Sequence, residues 1–169
     1  MTAWPQRIIE QLKAYNVRFL SYVPDACGEH ILRAAREDAF FDILPLAREE
    51  EGVGVVTGQY LVGERGAILM PTSGVGNSIN AFASLAIPYH IPMPVFIGWR
   101  GALGEFNATQ VPMGQALVPI LESLNIPHFI LSRPEEVEVR VNGALKLAFV
   151  LEQPVAVLIS TELAGWKEK

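Results

Sequence analysis

The chain has 169 residues, half of them hydrophobic and 18% charged. That composition excludes intrinsic disorder, which needs low hydrophobicity and high charge, and the length suits one domain whose core needs no disulfide or metal staple. Thirteen Lys and Arg against 18 Asp and Glu give a net charge of -5 with no basic run, so nucleic acid is not an expected partner.

Helical and strand patterns alternate along the whole length. Trp4, Ile8, Ile9, Leu12 and Tyr15 have helical spacing over 3–15. A β-rich run over 17–23 ends at Pro24-Asp25, and a helix is predicted over 28–37. The run 41–46 is a second strand. A Gly-rich, apolar helix over 49–63 follows, and its lack of a polar face predicts burial on most sides. Residues 67–70 form a third strand, leading into a Pro71-Thr72-Ser73-Gly74 turn and a helix over about 76–87. The fourth strand is 94–99, and 100–112 is irregular. Helix signals return at 113–124 and 134–151, with strands at 126–131 and 154–160. The tail 163–169 is polar and expected to fray.

This order predicts an α/β fold: a doubly wound, mainly parallel six-stranded sheet with helices on both faces. The whole chain, 1–169, reads as a single domain. Ligands of such a sheet lie outside the carboxyl ends of its strands, here the loops 24–28, 47–51, 71–77 and 98–112. No apolar run is long enough to cross a bilayer, and the first residues lack a signal-peptide pattern. The expectation is therefore a cytoplasmic protein with no membrane partner. The lone Cys27 rules out an intramolecular disulfide and a cysteine zinc site.

Four stretches could carry chemistry. Arg48-Glu49-Glu50-Glu51 opens the third helix, where carboxylates favour the helix dipole; a carboxylate entering a buried helix also needs a partner or a raised pKa. Periodicity does not choose among the three acids. Thr72-Ser73-Gly74-Val75-Gly76-Asn77 is either a tight turn or a ligand loop whose amides approach an anion. It lacks the third glycine of a dinucleotide fingerprint, where Ile79 stands. Pro24-Asp25 suits a turn or a helix N-cap. Arg100, at a strand's carboxyl end, suits either solvent or an anionic group, with Gln110 in the loop beyond it.

Taken together, these stretches resemble the pyrimidine-binding domain of thiamine-diphosphate-dependent decarboxylases. That family has a Glu nine residues before the Gly of an Ala/Asp-Gly-Tyr-like segment; here Glu49 stands nine before Gly58 of Thr57-Gly58-Gln59-Tyr60. The resemblance thus selects Glu49 from the three acids. The segments Val23-Pro24-Asp25, Arg48-Glu-Glu-Glu-Gly-Val-Gly, Thr72-Ser-Gly-Val-Gly-Asn-Ser and Gln110-Val-Pro-Met-Gly are most similar to the alpha subunit of sulfopyruvate decarboxylase and the matching half of phosphonopyruvate decarboxylase. Ile97-Gly-Trp-Arg-Gly101 is nearer the phosphonopyruvate side.

The resemblance implies decarboxylation of a 2-oxo acid with a distal anion to an aldehyde and CO2. It implies that Glu49 bonds the cofactor's aminopyrimidine and promotes its imino tautomer, and that Asp25 relays or orients a proton. Pro24, Ser73, Gly74 and Asn77 would line the cofactor; Thr72, Ser73, Arg100 and Gln110 would face the substrate. No Gly-Asp-Gly occurs in the sequence, so the resemblance puts Mg2+ and the diphosphate on a separate beta subunit, with thiamine diphosphate at the interface of a hetero-oligomer such as α2β2. Two alternatives stay open: the same cofactor chemistry on an aromatic or aliphatic 2-oxo acid (Trp99, Phe106 and Met113 shaping an apolar pocket) or in carboligation, and a non-catalytic regulatory subunit of the same fold.

Overall fold

A computed structural model describes residues 3–165. The β-branched and apolar runs pair into one sheet: β1 (Phe19–Tyr22), β2 (Asp42–Pro45), β3 (Gly66–Pro71), β4 (Met93–Trp99), β5 (His128–Leu131) and β6 (Pro154–Ser160). The order is β2-β1-β3-β4-β6-β5, and every pair is parallel. The inner strands read as unbroken apolar runs because both faces are covered; all seven residues of β6 are buried.

Helices α1 (Trp4–Ala14), α2 (Glu29–Arg36) and α6 (Val137–Leu151) cover one face, where Ile8, Leu12, Ile31, Leu145 and Val157 share a core. Helices α3 (Glu49–Leu61), α4 (Thr72–Ala81) and α5 (Val111–Ser123) cover the other, around Val53, Met70, Phe82, Ile97 and Leu117. The chain winds from β1 outward to β2, then returns to lay β3 on the other side of β1. The carboxyl ends of β1 and β3 therefore flank the switch point at which such sheets open a crevice.

Four expectations need correction. The turn expected at 71–74 is the start of a helix: Pro71 is extended (φ -70°, ψ 166°) and α4 begins at Thr72, so Thr72, Ser73, Gly74 and Asn77 stand on its first turns. That helix ends in a π-helical turn, Phe82–Ala86, before residue 87. Helix α3 is not buried on most sides. Glu49, Gly52, Val53, Val56 and Thr57 are buried, while Gly54 and Gly58 have open space where a side chain would be. Small residues hid that polarity-free outer face from the pattern. Finally, Leu163 is not in a frayed tail but in a short helix, α7 (Thr161–Ala164), where Ser160 caps the Leu163 amide and the leucine side chain is buried. The rest of the expected tail, 166–169, lies outside the described residues.

Among the described residues, no helix is long and apolar enough to cross a membrane.

Candidate active site

The three acids at the start of α3 have three different fates. Glu51 folds back and its Oε2 accepts the amides of Ala47 and Arg48 (3.1 and 3.3 Å), closing the helix N-terminus as a capping box. Glu50 accepts from Arg48 Nε. Its carboxyl is held below the usual range, first by its own backbone amide and then by that guanidinium. Glu49 turns inward and is only 8% exposed.

Helix α4 receives it. Asn77 Nδ2 donates to Glu49 Oε2 at 2.9 Å, which meets the requirement that a buried carboxylate be partnered. Oε1 accepts no hydrogen bond from the described residues, so one oxygen is left for another group. Gly74 makes the approach possible: a Cβ there would lie 2.5 Å from Glu49 Cγ and 3.0 Å from its Cδ. Only glycine lets the carboxylate lie across the first turn of α4.

A second cluster forms where β1, β3 and β4 end. Thr72, wholly buried, donates from Oγ1 to the Gly98 carbonyl (2.7 Å) and accepts the Arg100 amide (2.9 Å). It thereby ties the start of α4 to the end of β4. Asp25 Oδ2 accepts the amides of Cys27 and Gly28 (3.0 and 3.1 Å) as an Asx turn. The carboxylate reaches over to β4, because a Cβ at Gly98 would lie 1.9 Å from Oδ2. Oδ1 makes no hydrogen bond among the described residues.

Arg100 is committed rather than free. Its Nε and Nη2 donate to the two oxygens of Glu105 at 2.7 and 2.6 Å, the forked geometry that makes such pairs strong. Glu105 also accepts the amides of Gly101 (3.0 Å) and Asn107 (2.9 Å), and its side chain is 2% exposed. These donors, Arg100 first, hold its carboxyl at about 2. Glu105 in turn raises the Arg100 pKa, with Asp25 and Cys27 adding smaller contributions.

The loop closes on itself. Gly101 has φ +79°, and a Cβ there would meet the Gln110 carbonyl at 2.4 Å; one on Gly114 would meet the Arg100 carbonyl at 2.1 Å. Arg100 and Gln110 thus stand at the two necks of one compact loop. Trp99 Nε1 donates to the Gly114 carbonyl and Met113 packs on Gly76.

The fold therefore assembles the predicted residues into two adjoining groups: Glu49, Gly74 and Asn77 on the α3/α4 side, and Asp25, Thr72 and Arg100 over the ends of β1, β3 and β4. Pro24 and Ser73 are exposed beside them, and the Gln110 side chain, half-buried, makes no hydrogen bond among the described residues. Sequence reasoning missed Glu105. The available signal for Glu105 was an acid between two glycine-bounded ends of a loop whose other charge is Arg100. Among the described residues no three of His, Cys, Asp and Glu group to hold a metal ion.

A doubly wound α/β domain with a buried, amide-held glutamate beside its switch point has clear relatives. The chain is 42% identical over 144 residues to the sulfopyruvate decarboxylase subunit alpha of Methanococcus maripaludis, covering 85% of this chain and 86% of that one. It is 38% identical over 151 residues to the subunit of the same name from Methanocaldococcus jannaschii, covering 89% of each. A sulfopyruvate decarboxylase of Methanosarcina acetivorans is 32% identical over 158 residues, 94% of this chain but 40% of that longer one. No protein-family model matches the chain. The chain belongs to the family of sulfopyruvate decarboxylase alpha subunits.

Proposed function

We propose that this chain is the pyrimidine-binding subunit of a two-chain thiamine-diphosphate decarboxylase that converts sulfopyruvate to the corresponding aldehyde and CO2. The observation that carries this reading is the Glu49–Asn77–Gly74 cradle: a buried carboxylate with one oxygen held by Asn77 and the other without a hydrogen bond among the described residues. The names of the relatives support the substrate. The longer relative supports a second part, because there the matching segment is joined to a larger remainder.

The residues present fit one end of the cofactor. Glu49 would hold the pyrimidine through Oε1, with Ser73, Gly74 and Asn77 beside it and Pro24 at the rim. The diphosphate and its Mg2+ are assigned to a beta subunit. When bound, thiamine diphosphate supplies the electron sink that loss of CO2 from a 2-oxo acid requires. Glu49 would hydrogen-bond that ring, and Asn77 keeps the carboxylate from swinging away. The bond that breaks joins the carboxylate carbon to the oxo carbon, and the electron pair left there takes up one proton. Asp25, whose Oδ1 makes no hydrogen bond among the described residues, would relay or orient that proton. Thr72 ties the start of α4 to the end of β4.

Reconstitution with the diphosphate-binding subunit tests the reading. CO2 release is measured from sulfopyruvate, phosphonopyruvate, pyruvate and an aromatic 2-oxo acid. Sulfopyruvate is expected to be preferred, and Glu49→Gln is expected to lower kcat by about 100-fold or more, the usual scale for a positioned acid–base group. A fully active Glu49→Gln complex would overturn the mechanism, and preference for an apolar 2-oxo acid would overturn the substrate.

A further inference from the structure

The four loops at the carboxyl ends of the strands, 24–28, 47–51, 71–77 and 98–112, carry two cations, Arg48 and Arg100. Arg48 is exposed and pairs with Glu50, so water screens its charge. The Arg100 side chain is 14% exposed, and its backbone amide is tied to Thr72 at the start of α4. It is committed on one edge only. Nε and Nη2 donate to the two oxygens of Glu105, while Nη1 makes no hydrogen bond among the described residues. Three of the five guanidinium donors are therefore unused. One face of the group is covered by the Phe106 ring, 5.4 Å from Cζ to centroid. Arg100, Glu105 and Phe106 line a small pocket with Ala26, Cys27 and Thr161.

We propose that the free Nη1 edge of Arg100 receives the substrate's distal sulfonate, and that Glu105 is a specificity-determining residue that selects this singly charged group over a doubly charged phosphonate. The inference rests on the substrate reading proposed above and says which residues impose it. Glu105 does two things. Its forked pair, anchored by the Gly101 and Asn107 amides, fixes the plane of the guanidinium and so aims the unused edge. It also cancels the charge of the receptor. An isolated arginine attracts a dianion about twice as strongly as a monoanion, because the energy scales with the product of the charges. A carboxylate buried beside it repels the dianion in the same proportion. The neutral pair still offers hydrogen bonds to sulfonate oxygens, but a second charge gains nothing there and loses its hydration. Glu105 is thus the repulsive element that specificity needs. Its carboxyl, held at about 2, stays ionised at any ordinary assay pH.

The test is the ratio of kcat/KM for sulfopyruvate to kcat/KM for phosphonopyruvate in the assembled two-subunit complex. It is measured at about pH 8, where a phosphonate carries its second charge. Glu105→Gln is expected to move that ratio toward phosphonopyruvate by about 10-fold or more. A loop that only loses order lowers both values alike; an unmoved ratio therefore overturns the proposal. Glu105→Asp keeps the charge and is expected to hold the wild-type ratio within about 3-fold, even with lower rates; a ratio as altered as that of Glu105→Gln counts against the role of charge. Arg100→Gln is expected to raise KM for sulfopyruvate by about 10-fold or more. An unchanged KM would place the sulfonate elsewhere. Should Glu105→Gln fail to assemble, inhibition of the wild-type complex decides. There 3-sulfopropanoate is expected to inhibit about 10-fold more tightly than 3-phosphonopropanoate, and equal or tighter inhibition by the phosphonate overturns the selection. If an apolar 2-oxo acid is the preferred substrate, the substrate reading fails and this inference with it. If sulfopyruvate is preferred and Glu105→Gln leaves the ratio unmoved, only this inference fails.

Discussion

Gly74 shows how one missing atom organises the site. The Glu49 side chain occupies the space that a Cβ at 74 would need, at 2.5 Å from Cγ, and neither α3 nor α4 can retreat without opening the core around Val53, Val56 and Val75. Gly74→Ala is therefore expected to displace Glu49 and lower kcat of the assembled enzyme by about 10-fold or more. The overpacking should cost roughly 1–3 kcal/mol in denaturant unfolding. A stable, fully active Gly74→Ala enzyme would show that the carboxylate has another seat. Asn77→Ala probes the same contact from the other side. It leaves Glu49 Oε2 without its donor, which at a buried oxygen costs about 1–3 kcal/mol, and should reduce activity without touching the loop at 100–110. The acid itself was legible only through family resemblance. The three glutamates share similar stripes along the helix, and what separates them is the capping of Glu51, the pairing of Glu50 and the glycine across from Glu49. None of these is a local property of the sequence around 49.

At the level of elements, the six strands and their parallel sheet could be read from the sequence because doubly covered strands are continuous apolar runs that alternate with helices. Helix boundaries at the site could not. The segment 71–77 reads as a turn from its Pro, Ser and Gly content, yet Thr72 finds the Gly98 carbonyl and the Arg100 amide from β4, and that tertiary pairing outweighs the local preference. The loop 100–110 was opaque for a similar reason: its order comes from Glu105, which gathers donors from Arg100, Gly101 and Asn107. This gives the loop a pH signature. The folded-state pKa of Glu105, about 2, lies below its ordinary value of 4.5. Its contribution is therefore fully present above about pH 4.5 and lost as pH falls toward 2. A shift of that size corresponds to at most about 3 kcal/mol. Urea unfolding at pH 6, 4 and 3 is expected to show wild type losing stability faster than Glu105→Gln, with the two converging at low pH. Parallel curves would mean that the ion pair adds no net stability.

At the scale of the whole molecule, the proposed function divides the cofactor between two subunits. Glu49 and Asp25 would offer acceptors at one end, with the diphosphate and Mg2+ assigned by that proposal to the other subunit. The outer face of α3 is bare at Gly54 and Gly58, and Leu61 and Val62 beyond it are 75% and 74% exposed. Binding and assembly should therefore be linked. A ligand stabilises a fold by RT ln(1 + [L]/Kd), about 2.7 kcal/mol at 100 times Kd and almost nothing below Kd. For a domain of this length that larger figure corresponds to a shift of several degrees in Tm. Thiamine diphosphate with Mg2+ at about 0.1 mM, well above a micromolar Kd and below a millimolar one, is expected to leave the Tm of the chain alone unchanged. With the diphosphate-binding subunit present it should raise the Tm of the complex by several degrees, and Glu49→Gln should abolish much of that rise, because the pyrimidine end would lose its acid. A clear shift for the chain alone would mean that it holds the cofactor unaided, and the division of labour between two subunits would have to be abandoned.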